Sequence, residues 1–319
     1  MVPPAVNRVT PAQVRDTERR IRPNVRRTPV LELEPDALGT PGAVALKLES
    51  LQVTGTFKAR NAFSLLRGRD VPAAGVVAAS GGNFGLAMAH AARRLGHAMT
   101  VLVPDSTPAV KLASIRAEQA VVETVAGPAA EAFAAADRRA EETGALLAHP
   151  YDLPEVVAGA GTCAVELAQQ APDLDTVLVA VGGGGLIGGI ATFYDRRVRV
   201  IAVETDGTAA LHASRQAGER VEISASGVAM AALGAPRIGD LGWIAAREGV
   251  TDTLVVSDDD VLAAQARLWS AARVLAEPGG AVALAALTSG AYVPAAGERV
   301  GVVICGGNTD PASLDATAS

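Results

Sequence analysis

The chain has 319 residues, of which 49% are hydrophobic, 19% charged and only 3% aromatic, with a net charge of −6 and a pI near 5.3. The hydrophobic fraction excludes a disordered chain, and the length suits one large or two ordinary domains with substantial cores. A nucleic-acid-binding face needs clustered basic residues; here Lys and Arg are scattered, so no nucleic-acid partner is expected.

The first ten residues, MVPPAVNRVT, lack the apolar core of a signal peptide, which points to a cytoplasmic protein. Short β-branched runs then alternate with Ala-rich amphipathic segments. The pattern predicts a strand at 44–48, a helix at 56–67, a strand at 75–79 and a helix at 82–95. A strand at 99–103, a helix at 108–117, a strand at 120–123 and helices at 128–143 and 155–170 follow. Beyond these come a strand at 176–181, a helix at 186–194 and strands at 198–204 and 254–256. Helices at 258–275 and 280–288 and a strand at 300–305 complete the series. Pro108 and Pro128 suit a first helical turn, where the N–H that proline lacks has no partner anyway. Asp258, Asp259 and Asp260 suit a helix start through capping and the helix dipole. The most apolar stretch, 176–193, carries six glycines and is too short for a membrane-spanning helix. Strand–helix alternation predicts an α/β protein of mostly parallel, doubly wound sheets. Such sheets bind ligands at the carboxyl ends of their strands.

Three glycine-rich turns follow predicted strands. Gly182-Gly183-Gly184-Gly185-Leu186 leads from a strand into a helix, where free backbone N–H groups and a positive helix end suit a phosphate. Four consecutive glycines exceed what a packed crossover needs, because each costs entropy on folding. Gly183, Gly185 and Gly188 also fit a G-x-G-x-x-G pattern, and Glu204 lies where a dinucleotide-binding unit puts its ribose-binding acid; alone, these would indicate an NAD-dependent oxidoreductase. The second turn is Ser80-Gly81-Gly82-Asn83-Phe84-Gly85 and the third Cys305-Gly306-Gly307-Asn308. Cys163 and Cys305 form no disulfide framework or zinc pattern, and His90, His97, His149 and His212 no metal motif.

Lys58 lies in Thr54-Gly55-Thr56-Phe57-Lys58-Ala59-Arg60, a small turn ahead of a helix. A lysine partly withdrawn from water has a lowered pKa and becomes a competent Schiff-base nucleophile. A phosphate site, such a lysine and a polar loop together meet the needs of pyridoxal 5′-phosphate. The chain resembles the serine/threonine dehydratase and serine racemase group of the tryptophan-synthase-β-like superfamily (fold type II). The resemblance rests on 46–49, 54–60, 80–83, 149–152, 182–186, 277–281 and 305–308, which occur in family order.

That resemblance implies Lys58 as the residue that holds the cofactor, with Phe57 beside it. It also implies Gly182, Gly183, Gly184, Gly185 and Leu186 around the phosphate, Asn83 on the ring hydroxyl, and Cys305 facing the pyridine nitrogen. Ser80, Gly81, Asn83 and Phe84 would contact the substrate. The implied activity is β-elimination on a β-hydroxy amino acid such as L-serine or L-threonine, giving a 2-oxo acid and ammonia. β-Replacement or racemisation is the alternative, and a catalytically idle cofactor-binding protein a further one. A small domain at 74–152 would close over a large one made of 1–73 and 153–319, and members of the group are commonly homodimers. Gly81 stands where racemases have a serine acting as second base, which favours dehydration. Ala210 stands where metal-binding relatives have an Asp alongside the equivalent of Glu204, so no metal is expected. Phe84 replaces a frequent His, Asn61 a Gly, and Gly159-Ala160-Gly161-Thr162 the usual Gly-Gln-Gly-Thr, which points to an unusual substrate. Eleven residues follow Asn308, too few for the regulatory domain of biosynthetic threonine dehydratases.

Overall fold

The computed structural model describes residues 8–40 and 42–312. The chain begins with α1 (Pro11–Ile21), β1 (Val30–Leu33) and β2 (Val44–Leu48), passes through two short 3-10 turns, and enters α2 (Lys58–Gly68). There follow β3 (Val76–Ala79), α3 (Asn83–Leu95), β4 (Met99–Pro104), α4 (Ala109–Ala117), β5 (Val121–Val125), α5 (Ala129–Thr143) and β6 (Leu146–Ala148). Next come α6 (Pro154–Gln170), β7 (Thr176–Ala180), α7 (Gly185–Tyr194), β8 (Arg199–Thr205), α8 (Ala210–Ala217), α9 (Met230–Leu233) and α10 (Asp240–Gly249). The last elements are β9 (Val250–Val256), α11 (Asp258–Ala272), α12 (Pro278–Thr288) and β10 (Val300–Ile304).

Two sheets result, in the order β1-β2-β10-β7-β8-β9 and β5-β4-β3-β6. All pairings are parallel except β1 on β2. Every residue of β2, β7 and β10 is buried, as continuous apolar strands covered by helices on both faces should be. The mixed α/β, mostly parallel architecture is the one the alternation predicted.

Several elements differ from the prediction for local reasons. α1 was missed because its only buried aliphatic residues are Val14 and Ile21, its burial being completed by Thr17 and Glu18; a Thr10–Gln13 capping box starts it. β1 and β6 are four and three residues long, too short for a periodic signal. α8, α9 and α10 fill a stretch left unassigned, and β9 starts four residues earlier than expected. Pro108 and Pro128 are the N-cap residues of α4 and α5 rather than their first helical residues. The cap of α11 is Ser257, in a reciprocal box with Asp260, while Asp259 adds charge to the first turn and Asp258 also accepts from Val228 N–H at 3.0 Å.

Beneath the carboxyl end of β2 lies a buried ion network. Arg60 binds Glu49 through Nε and a terminal nitrogen, both at 2.8 Å, and Glu166 at 2.8 and 2.7 Å. Lys47 Nζ donates to Glu166 at 2.7 Å, to Gln170 at 2.8 Å and to the Thr28 carbonyl at 2.8 Å. Thr28 donates to Glu49 at 2.5 Å. Two cations balance two carboxylates, and each charge is hydrogen-bonded, which is what makes so much buried charge tolerable. The network joins β2 to α2 and α6, and so fixes the helix whose first residue is Lys58. Close packing of helices explains two further glycines: a Cβ at Gly159 would lie 2.6 Å from the Arg60 carbonyl oxygen, and one at Gly161 2.7 Å from that of Gly189.

Candidate active site

Lys58, Cys305 and the Gly182 turn follow β2, β10 and β7, which are neighbours in the large sheet. The loops are tied together: Phe57 N–H donates to the Cys305 carbonyl at 3.1 Å, and Gly307 N–H to the Gly55 carbonyl at 2.9 Å. The Ser80–Asn83 turn follows β3 of the other sheet and meets them through Asn83, which bonds Glu277 and Asn308.

Lys58 is one of three lysines in the chain, with Lys47 and Lys111. Lys47 is fully buried in the ion network. Lys58 Nζ instead donates to the Pro150 carbonyl at 2.9 Å, and lies 5.0 Å and 5.7 Å from the ring centroids of Phe57 and Phe84. Among the described residues no carboxylate forms an ion pair with it. Burial lowers its pKa to about 8, against the opposing pull of Cys305 and Glu277. Only the neutral amine attacks an aldehyde. Covalent loading of cofactor-free protein with pyridoxal phosphate should therefore accelerate with pH and level off above about 8. A stopped-flow pH series checks this; a rate still climbing toward 10.5, the value of an ordinary lysine, would contradict it.

The Gly182–Gly185 turn has no space for side chains. A Cβ at Gly182 would lie 2.9 Å from Leu233 Cα, and one at Gly183 would run into the Tyr151 ring. Gly184 is left-handed at φ +92, and its Cβ would meet Ile238 at 2.8 Å. α7 starts at Gly185, so the turn sets backbone N–H groups at a positive helix end. This is a fitting cradle for the single phosphate of pyridoxal phosphate. Gly184→Ala should cost about 1–3 kcal/mol of stability through its backbone alone and lower cofactor affinity at least about tenfold through lost anion-binding geometry. Thermal denaturation and fluorescence titration with pyridoxal phosphate measure the two effects, and unchanged affinity would argue against the cradle.

Asn83 begins α3, and its Nδ2 donates to Glu277 Oε1 at 2.7 Å. Its Oδ1 accepts from Asn308 Nδ2 at 2.9 Å. Burial raises the Glu277 carboxyl to about 7, with the Asn83 bond and the charges of Lys111 and Lys58 acting against it. Cys305 is buried, its thiol donating to the Gly279 carbonyl at 3.3 Å, and burial pushes its pKa far up, so it stays neutral. Ser80 Oγ accepts from Gly82 N–H at 3.3 Å, holding the turn ahead of α3. A Cβ at Gly81 would lie 2.7 Å from the Thr107 side chain. Phe84 is almost fully buried and presents its ring toward Lys58. Leu186, on the first turn of α7, is buried in the large core.

The residues behind the dinucleotide reading do other work. Both Glu204 oxygens accept backbone N–H groups, from Leu211 at 2.8 Å and His212 at 2.7 Å, so this acid caps the start of α8 and cannot face a ribose. Gly188 packs against Gly242. Ala210 lies beside this cap, and among the described residues no group of three or more His, Cys, Asp or Glu could hold a metal ion. Asn61 is fully buried on α2 with both amide atoms unpaired, and nothing in the structure explains it.

Sequence reasoning gave no individual role to Glu277, Tyr151, Pro150 or Asp152. Tyr151 covers the glycine turn, Pro150 supplies the carbonyl that holds Lys58, and Asp152 caps α10 through the N–H groups of Asp240 and Leu241, both at 2.9 Å. The available signal was the presence of 149–152 and 277–281 among the family segments.

The family model described as pyridoxal-phosphate dependent enzyme matches residues 21–306, and the chain belongs to that family. It is a pyridoxal-phosphate-dependent lyase of the tryptophan-synthase-β-like fold. It is 36% identical to the L-threonine ammonia-lyase of Geobacter sulfurreducens over 93% of this chain and 75% of that one. It is 38% identical to the phenylserine dehydratase of Ralstonia pickettii over 92% of both chains. The solved structure of maize serine racemase superposes with a TM-score of 0.90 at 30% identity, covering 97% of this chain and 96% of that one. No helix among the described residues is long and apolar enough to cross a membrane.

Proposed function

We propose that the enzyme eliminates water from a small β-hydroxy amino acid, L-threonine or L-serine, and that hydrolysis of the released enamine, through its imine, then gives a 2-oxo acid and ammonia, with Lys58 as the catalytic base. The observation that carries this reading is the Lys58 amine, held by one carbonyl between two aromatic rings and poised to exchange a proton near neutral pH.

When bound, pyridoxal phosphate supplies the electron sink that acidifies the Cα–H of an attached amino acid. The remaining roles fall to the protein. The Gly182–Leu186 turn would hold the phosphate by backbone N–H groups, and Asn83 would donate to the ring hydroxyl. The Ser80–Phe84 turn, at the start of α3, receives the substrate carboxylate, an anion suited to a helix N-terminus. Lys58, the amine at the site, would take the Cα proton as general base. Cys305, a neutral thiol, would stand against the ring nitrogen and would not hold it protonated as a carboxylate would. A neutral partner there would suit elimination, because it would not draw charge into the ring. Gly81 offers no proton to the opposite face of Cα, which disfavours racemisation.

A second reading has support of its own: the phenylserine dehydratase likeness spans both chains, and Phe84 makes the substrate turn apolar. Purified enzyme offered L-threonine, L-serine and L-threo-phenylserine, with oxo acid, ammonia and enantiomer followed together, separates the cases. Equimolar oxo acid and ammonia supports the proposal, and the fastest substrate selects the reading. A D-amino acid without oxo acid sinks it. The segment 74–152, which contains β3 to β6, is proposed to close over the substrate. A homodimer and a cytoplasmic location complete the reading on the sequence and family expectations.

A further inference from the structure

Four polar groups form one line across the site. The Thr54 carbonyl accepts from Asn308 Nδ2 at 2.8 Å, the same nitrogen donates to Asn83 Oδ1 at 2.9 Å, and Asn83 Nδ2 donates to Glu277 Oε1 at 2.7 Å. The direction of this chain is not free. A backbone carbonyl only accepts, so Asn308 must turn its nitrogen to Thr54, and both hydrogens of that nitrogen are then used. Asn83 is left to present its oxygen to Asn308. At the other end the Glu277 carboxyl, raised to about 7, only accepts once it is ionised, so above that pH Asn83 must present its nitrogen to Glu277, as the 2.7 Å contact has it. Both ends dictate the same orientation of the Asn83 carboxamide, and one N–H of its nitrogen remains unassigned.

The ends are held firmly. Thr54 has φ +62, a conformation a β-branched residue adopts only where its surroundings impose it, and Gly55 after it is also left-handed. A side chain at Gly55 would collide with Asn308, and one at Gly306 with Glu277. Glu277 N–H donates to the Gly306 carbonyl at 3.1 Å, and its own carbonyl accepts from Gly280 at 2.8 Å, so the carboxyl is fixed at the start of α12. Asn83 and Asn308 follow strands of different sheets, and the line thereby joins the two sheets at the site.

We propose that Glu277 and Asn308 are positioning residues which lock the Asn83 carboxamide with its nitrogen, rather than its oxygen, toward the cofactor's ring hydroxyl. This rests on the assignment of Asn83 to that hydroxyl. A donor there stabilises the ionised hydroxyl, whereas a flipped amide would turn an oxygen lone pair toward it and repel it. Gln at 277 keeps shape and bulk but accepts or donates equally well, so it releases the lock. Ala at the exposed position 308 removes the other constraint with little risk to folding.

The test measures the affinity of cofactor-free protein for pyridoxal phosphate and the visible spectrum of the loaded protein in Glu277→Gln, Asn308→Ala, Asn83→Ala and the two doubles containing Asn83→Ala. Each positioning variant should weaken binding about tenfold, in keeping with a lost hydrogen bond to a charged group. Each should also shift the balance of absorbance bands that reports ionisation of the ring hydroxyl. Neither should weaken binding further once Asn83 is Ala. Weakening by the same factor with and without Asn83, or wild-type binding and spectrum in both variants, overturns the proposal while leaving Asn83's assignment intact. If Asn83→Ala itself changes neither quantity, the assignment and the proposal fall together.

Discussion

Replacing Lys58 with Ala is expected to abolish both the visible absorbance of the purified enzyme and its production of oxo acid. Two losses combine. On the proposed assignment the covalent anchor disappears, leaving the glycine turn and Asn83 to retain the cofactor alone. The general base also disappears, and proton transfer by a positioned side chain is worth about 10²–10⁴-fold in rate. Lys47 cannot substitute, being buried under the sheet with its three hydrogens directed at Glu166, Gln170 and Thr28. Lys111 is carried on α4, although its charge reaches Glu277. Activity restored by added primary amines in the variant would strengthen the assignment. Residual activity above about a tenth of wild type, unaided, would contradict it.

The second large effect is on folding. Arg60→Ala should destabilise the enzyme by about 3–5 kcal/mol, because it leaves Glu49 and Glu166 buried with Lys47 as the single cation. That is a large share of the ~5–15 kcal/mol that holds a typical protein together. Denaturant titration should show a much lower midpoint, or the protein should fail to accumulate in folded form. Arg60→Lys restores the charge but not the fork that grips two carboxylates at once, and should recover only part of the loss. A wild-type midpoint for Arg60→Ala would mean that the network is energetically idle. The network also positions the start of α2, so a folded Arg60→Lys enzyme should load pyridoxal phosphate more slowly than wild type.

How much of this could be read in the sequence depended on how local each signal was. β2, β3, β7 and β10 are short apolar runs ending in turn-forming residues, and each was visible, as was the turn that follows it. The positions of Lys58, Asn83, Gly182–Leu186 and Cys305 along the chain were legible for the same reason. What escaped was non-local. Glu277 lay in a family segment, but its role depends on what lies against it: Asn83, 194 residues away in sequence, and Gly306. The Arg60 network draws its members from β1's approach, β2, α2 and α6, and no spacing in the sequence announces it. Glu204 shows the converse. Its distance from the glycine turn matched a ribose-binding acid, yet its two oxygens are consumed by the first N–H groups of α8, a helix whose existence the periodicity did not reveal.

The most direct test of the account is to reduce the purified, cofactor-loaded enzyme with borohydride, digest it, and locate the stable pyridoxyl group by mass spectrometry. With only three lysines in the chain the outcome is discrete. A pyridoxyl group on Lys58, absent when L-threonine or L-serine is added before the reductant, is the predicted result. Modification of Lys111 or Lys47 instead, or no modified peptide at all, would contradict the central claim that the residue between Phe57 and Ala59 is the one that holds the cofactor and moves the proton.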